Sequence, residues 1–260
     1  MESISRAFGH HQDSALASPQ TAKADLVSLE NIQYTQTRTV ALSREFLRRQ
    51  RVIAGYNPCA FVDAYKILRT RVLHKMREHG WNTLAITSPS AGCGKSLTAI
   101  NLALSIALEV HQSALLADAN LRDPAVHRYL GIDPTVGFAD HLIDNVPLSK
   151  ILINPKGISR FVVLPGKRPV FNSSELIASP KMAHLVQELK HRYASRFIIF
   201  DLPHLGTADA LSFMTHVDAA VLVVEEGKTT QQELSRAIAV LEGTPLVGLV
   251  LNKAENDAVG

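Results

Sequence analysis

The segment Ser88-Pro89-Ser90-Ala91-Gly92-Cys93-Gly94-Lys95-Ser96 carries the residue types that bind a polyphosphate. It follows an apolar run, Thr83 to Thr87, and opens a helical stretch, Ser96 to Leu108, which is the strand-to-helix context a phosphate loop requires. Gly92 and Gly94 allow the tight path that turns successive N–H groups inward, and the following helix aims its positive end at the same anion. The phosphate-binding stretch is therefore expected to be Ala91, Gly92, Cys93, Gly94, Lys95, Ser96 and Leu97, with ATP and Mg²⁺ as its ligands. Lys95 would reach the β- and γ-phosphates and the Ser96 hydroxyl would ligate the metal. The usual G-x-x-x-x-G-K-[ST] pattern has its first glycine where this chain has Pro89. The competing reading is an ordinary Gly-rich turn with a surface lysine. Cys93 reads as a tolerated side chain pointing outward from the loop rather than as a reactive thiol.

Two further apolar runs end in aspartate, Leu115-Leu116-Ala117-Asp118 and Ile198-Ile199-Phe200-Asp201. In an open parallel sheet both carboxylates arrive at the carboxyl ends of the strands, where ligands bind. Such groups hold Mg²⁺, commonly through water, and take a proton from an attacking hydroxyl. A single strand-end Asp often only caps the next helix; two beside a phosphate loop favour metal binding.

These groups need a scaffold, and the chain supplies short apolar runs alternating with helical stretches. The runs are Thr83 to Thr87, Ala114 to Ala117, Phe161 to Leu164, Phe197 to Phe200, Ala219 to Val224 and Leu246 to Leu251; the helices between them include Ser96 to Leu108, Pro124 to Tyr129, Gly137 to Ile143, Pro180 to Tyr193, Ala208 to His216 and Thr230 to Leu241. Strands without polar alternation, separated by helices, predict an α/β fold: a mostly parallel sheet of the P-loop NTPase kind, flanked by helices on both faces. Ahead of the loop, helices are expected from Val40 to Arg51 and from Ala60 to Glu78, the second starting just after Pro58. Residues 1–40 show no periodicity and read as a flexible leader, leaving 41–260 as one domain.

Composition narrows the functions. Of 260 residues, 46% are hydrophobic and 20% charged, as in an ordinary soluble globule, and a net charge of +3 gives no case for nucleic acid. Two cysteines are too few for a disulfide framework and fit a reducing compartment. The longest apolar stretch, Leu97 to Val110, falls short of a bilayer span, so a cytoplasmic protein is expected, with any membrane role arising through a partner. The histidines are scattered and no zinc site is expected. Trp81 and the phenylalanines are assigned to packing.

With these residues in place the sequence resembles the bacterial tyrosine kinases, and among them the soluble members of exopolysaccharide and exosortase systems. Ser88 to Ser96 is similar to that family's Walker A segment, Leu115 to Pro124 to its Walker A′ motif, and Phe197 to Pro203 to its Walker B strand. Leu164-Pro165-Gly166 with Glu175-Leu176 and Ser179-Pro180 resembles a further family stretch, and Leu249 to Lys253 resembles the strand whose Asn, here Asn252, contacts adenine in related ATPases. The resemblance implies an ATP-dependent enzyme that phosphorylates tyrosine on its own kind. It implies work with the cytoplasmic segment of a membrane chain-length regulator, or polysaccharide copolymerase, at the inner face of the membrane, and an influence on polysaccharide polymerisation or export. On that reading Lys95, Asp118 and Asp201 are catalytic, Ser96, Asp118 and Asp201 hold metal, Asp118 is the base, and Arg122 and Asn252 join the nucleotide site. Asp63, Lys66 and Arg69 resemble the family's helical stripe of subunit contacts, implying self-association, although a solvated face with intrahelical pairs fits the same spacing.

The sequence departs from the family pattern where it has Asn120 for a second aspartate, Leu202-Pro203-His204 after Asp201, and tyrosines only at 34, 56, 65, 129 and 193. An amide at 120 carries no charge and is no base. Two alternatives therefore stay open: a nucleotide-gated regulatory subunit that transfers no phosphate, and a MinD/ParA-type positioning ATPase, whose signature lysine is Ser90 here.

Overall fold

The computed structural model describes residues 37–192 and 196–254. Eight strands form a single sheet: β1 (Arg38–Val40), β2 (Thr83–Thr87), β3 (Ser113–Asp118), β4 (Ile153–Pro155), β5 (Phe161–Leu164), β6 (Arg196–Asp201), β7 (Ala219–Glu225) and β8 (Leu246–Asn252), in the order β1-β4-β5-β3-β6-β2-β7-β8. The six apolar runs all became strands. β2 and β5 keep the expected bounds, and the other four gain one residue at one or both ends, because backbone pairing continues into polar positions such as Ser113 and Asn252. β5, β3, β6, β2, β7 and β8 run parallel. The chain therefore turns back at one edge of the sheet after β2, β3 and β6, and this edge gathers Ser88, Asp118 and Asp201.

Helices cover both faces, as strands apolar on both sides demand. α1 (Arg44–Arg49), α2 (Ala60–Glu78), α3 (Lys95–Ala107) and α4 (Val126–Leu130) supply Leu47, Leu73, Met76, Ile100, Leu104 and Val126 to one buried cluster. On the other face α5 (Phe138–Asp144), α6 (Leu148–Ile151), α7 (Ser173–Ile177), α8 (Pro180–Arg192), α9 (Ala208–Met214) and α10 (Gln231–Val240) contribute Phe138, Ile151, Ile177, Leu185, Phe213 and Ala237 to a second. None of the described helices is long and apolar enough to cross a membrane.

The structure refines the sequence reading at several places. Residues 1–36 of the expected leader lie outside the described residues, but Arg38–Val40 pair in parallel with β4 and extend the sheet. The helix expected from Val40 begins at Arg44, because the Ser43 side chain accepts from the Phe46 N–H and caps it while the Val40 carbonyl accepts from the Lys156 N–H. β4 runs antiparallel to β5, so the sheet is parallel except at that edge. Phe171 is 89% exposed and packs into neither cluster, whereas Phe138, Phe161, Phe200 and Phe213 are fully buried.

Candidate functional site

Between β2 and α3 the chain is locked by its own polar groups. The Ser88 hydroxyl and the Cys93 thiol both donate to the Ser90 carbonyl, at 2.6 and 3.3 Å, and the Asn252 amide donates to the Cys93 carbonyl at 2.8 Å. Cys93 is thus turned inward, 1% exposed and part of the apolar cluster, which corrects the outward placement expected for it. The cause is the pair of glycines around it: Gly92 and Gly94 have φ of 83° and 89°, and the two left-handed residues swing residue 93 under the loop. Gly94 is fixed twice over, since a Cβ there would stand 2.1 Å from the Asn252 amide nitrogen.

With the carbonyls pinned this way, the N–H groups are left over. Among the described residues, the backbone N–H groups of Ala91 through Leu97 donate to no protein acceptor, and the first helical bond of α3 starts at the Thr98 N–H. A run of unpaired amides at the start of a 13-residue helix is an anion-binding nest. All seven residues expected from the sequence to cradle phosphate lie in this run.

Asp118 and Asp201 end adjacent strands and stand side by side in the β3–β6 register. Both are wholly buried. Asp118 Oδ2 accepts from the amides of Ala125 and Val126 at 2.9 and 3.0 Å, which pins the start of α4. Its Oδ1 has no partner, and neither oxygen of Asp201 makes a hydrogen bond, although the Ser96 hydroxyl lies near enough to favour the charged form. Burial, then the charge of Asp201, pushes Asp118 well above the usual carboxylate range, against the pull of its amides. Burial also raises Asp201 to about 6, with Ser96 and the Lys95 ammonium working in the opposite sense. Three orphaned carboxylate oxygens in a buried position are what a hard cation would satisfy. The residues present therefore fit Mg²⁺. The two aspartates and Ser96 supply too few donors for a closed cage, so phosphate and water oxygens would complete it.

A cavity of about 410 Å³ opens in front of the loop, lined by Gly94, Lys95, Ser96, Asn120, Arg128 and Tyr129 among others. Asn120 donates its amide to the Asp123 carbonyl at 2.9 Å, which leaves its side-chain oxygen for the cavity. The structure brings Lys95, Ser96, Asp118, Asp201 and Asn252 to one place. Arg122 lies on the Walker A′ loop, where its guanidinium donates to the buried Asp209 at 3.1 Å. The α2 stripe is elsewhere: Lys66 pairs with Asp63 at 2.7 Å, and Arg69 bonds to the Ser105 carbonyl and to Glu109. Sequence reasoning gave no role to Arg128 or Tyr129, nor to Lys228, whose ammonium lies 4.0 Å from the Cβ position of Gly92. They come from α4 and from the turn after β7, and no spacing in the sequence links them to the loop.

A mostly parallel sheet delivering two carboxylates beside a nest of free amides defines the class, a P-loop NTPase-like α/β fold. Within that class the chain belongs to the bacterial tyrosine kinase family: it is 31% identical over 193 residues to tyrosine-protein kinase YwqD of Bacillus subtilis, covering 73% of this chain and 80% of that protein. The putative tyrosine-protein kinase CapB of Staphylococcus aureus is 29% identical over 198 residues, covering 75% of this chain and 85% of the relative. Among solved structures, the kinase domain of Escherichia coli tyrosine kinase ETK superposes with a TM-score of 0.73 at 28% identity, over 86% of this chain and 91% of the domain. No family model matches the sequence.

Proposed function

We propose that this chain is a Mg-ATP-dependent protein-tyrosine kinase of the autophosphorylating type, acting in exopolysaccharide polymerisation and export. The observation that carries the proposal is the run of unpaired amides from Ala91 to Leu97 facing the Lys95 cavity. These amides and the Lys95 ammonium would hold the β- and γ-phosphates, and Asn252, anchored on the loop, would border the base. Ser96 and Asp201 would hold Mg²⁺, which when bound neutralises charge on the phosphates. Asp118, at the end of its strand with one oxygen free of any partner, would accept the proton from an attacking hydroxyl. Phosphoryl transfer is mostly positioning and electrostatics, so this small set of groups is sufficient.

As the resemblance implies, the chain would self-associate and be recruited from the cytoplasm by the cytoplasmic segment of a membrane chain-length regulator. A second reading, nucleotide-gated regulation without transfer, is favoured by Asn120, whose uncharged amide occupies a cavity position where the family has an acid. Incubating the purified chain with Mg-ATP and blotting for phosphotyrosine tests both. The kinase reading expects a signal that Lys95→Met abolishes; saturable ATP binding with no signal in the wild type selects the regulatory reading.

A further inference from the structure

Phosphoryl transfer needs an acceptor hydroxyl within reach of the phosphate loop, and the described tyrosines differ sharply in this respect. Tyr56 donates its hydroxyl to the Arg48 carbonyl at 3.1 Å and packs its ring at a tilt against Phe61, away from the site. Tyr65 is half-buried against α3, its hydroxyl near Asn101 and Thr98 and its pKa raised by burial. Tyr129 lines the 410 Å³ cavity together with Gly94, Lys95 and Ser96. Its ring packs against the apolar cluster beneath. Its hydroxyl makes no hydrogen bond to any described residue and is not among the buried unsatisfied atoms, so it is open to the solvent of the cavity. A tyrosine held by its ring, with its hydroxyl open to the same cavity that Gly94, Lys95 and Ser96 line, is placed for chemistry at a bound phosphate.

The helix carrying Tyr129 is fixed relative to the carboxylates. Asp118 Oδ2 accepts the amides of Ala125 and Val126, Val126 and Leu130 are buried, and Gly131 closes α4 in the left-handed conformation. The side chain that borders the transferring phosphate would thus also set where the tyrosine stands. Arg128 and Asp123, paired at 2.8 Å, line the same cavity and balance its charge.

We propose that Tyr129 is an acceptor of the phosphoryl group and receives it from ATP bound in the same chain. Its Oη attacks the γ-phosphorus; the new O–P bond forms as the bond to the β–γ bridging oxygen breaks, ADP leaves with that electron pair, and the phenolic proton passes to Asp118. This rests on the kinase reading above and adds the acceptor and the intramolecular route.

The test is peptide mass mapping of the full wild-type chain after incubation with Mg-ATP, across a dilution series. The expected result is phosphate on Tyr129 at a rate per chain independent of protein concentration, lost in Lys95→Met. Tyr129→Phe removes that peptide's label while keeping the ring packing, and circular dichroism checks that the variant is folded. Phosphate on other tyrosines with none on Tyr129 overturns the inference and leaves the kinase reading standing. A Tyr129 rate that rises with protein concentration overturns the intramolecular route. No phosphate on any tyrosine, in protein that binds Mg-ATP, overturns both the inference and the kinase reading.

Discussion

Two sets of buried polar groups meet along α3, equally removed from solvent and opposite in how they are satisfied. At the rear, Asn101 is 0% exposed and fully used: its oxygen accepts the Ile53 N–H and its amide donates to the Arg51 carbonyl. Ser105 donates to the Tyr65 carbonyl, and its own carbonyl accepts from Arg69, which also pairs with Glu109. At the front, Asp118 and Asp201 are just as buried, yet three of their four oxygens and a run of neighbouring amides have no partner. Burial alone does not separate structure from function in this molecule. At these two places satisfaction does: the Asn101 network holds elements together, and the open set around Asp118 and Asp201 is suited to a ligand.

The largest stability effect is expected at the rear. Asn101→Leu keeps the volume but strands the Ile53 N–H and the Arg51 carbonyl, and should cost about 2–3 kcal/mol in urea unfolding. A cost near zero would break the contrast. The front should respond with the opposite sign. Asp201→Asn removes a wholly buried charge, so at neutral pH the nucleotide-free protein should gain about 1–2 kcal/mol. Mg-dependent nucleotide binding should fall in the same variant.

The sign follows from proton uptake. Asp201 titrates near 6 when folded against 3.8 as a free side chain, so the folded state binds more protons between those values. The wild type should therefore lose stability relative to Asp201→Asn as pH rises through that window, measured by denaturation at each pH. Parallel pH profiles for the two proteins would contradict the assignment. The smallest effect belongs to Arg69→Ala, which removes a partly exposed ion pair and one carbonyl bond. It should cost about 1 kcal/mol and leave nucleotide affinity unchanged; unchanged stability with a shift in oligomeric state would instead make Arg69 a subunit contact.

Much of this was legible in the residues. Continuous apolar runs marked the six mutually parallel strands from β5 to β8 across the sheet, three- and four-residue spacing marked α2 from Ala60 to Glu78, and strand-end aspartates placed Asp118 and Asp201 on one edge before any register was known. Other features had little local signal. β1 and β4 are three residues each, too short for a period to emerge, and they exist because they pair with each other. The start of α1 did have a signal, a serine three residues before Phe46, which outweighs the apolar spacing that begins at Val40. Cys93 turns inward through backbone angles at its two neighbours, and Tyr129 and Arg128 reach the cavity through the packing of α4. Neither follows from spacing along the chain.

The account stands on the open amides of the loop, and nuclear magnetic resonance of the ¹⁵N-labelled chain observes them directly. On titration with Mg-ATP, the amide signals of Gly92, Gly94, Lys95 and Ser96 should move together and saturate, while that of Ile53, already bonded to Asn101, stays in place. Loop amides that remain still at saturating nucleotide would contradict it.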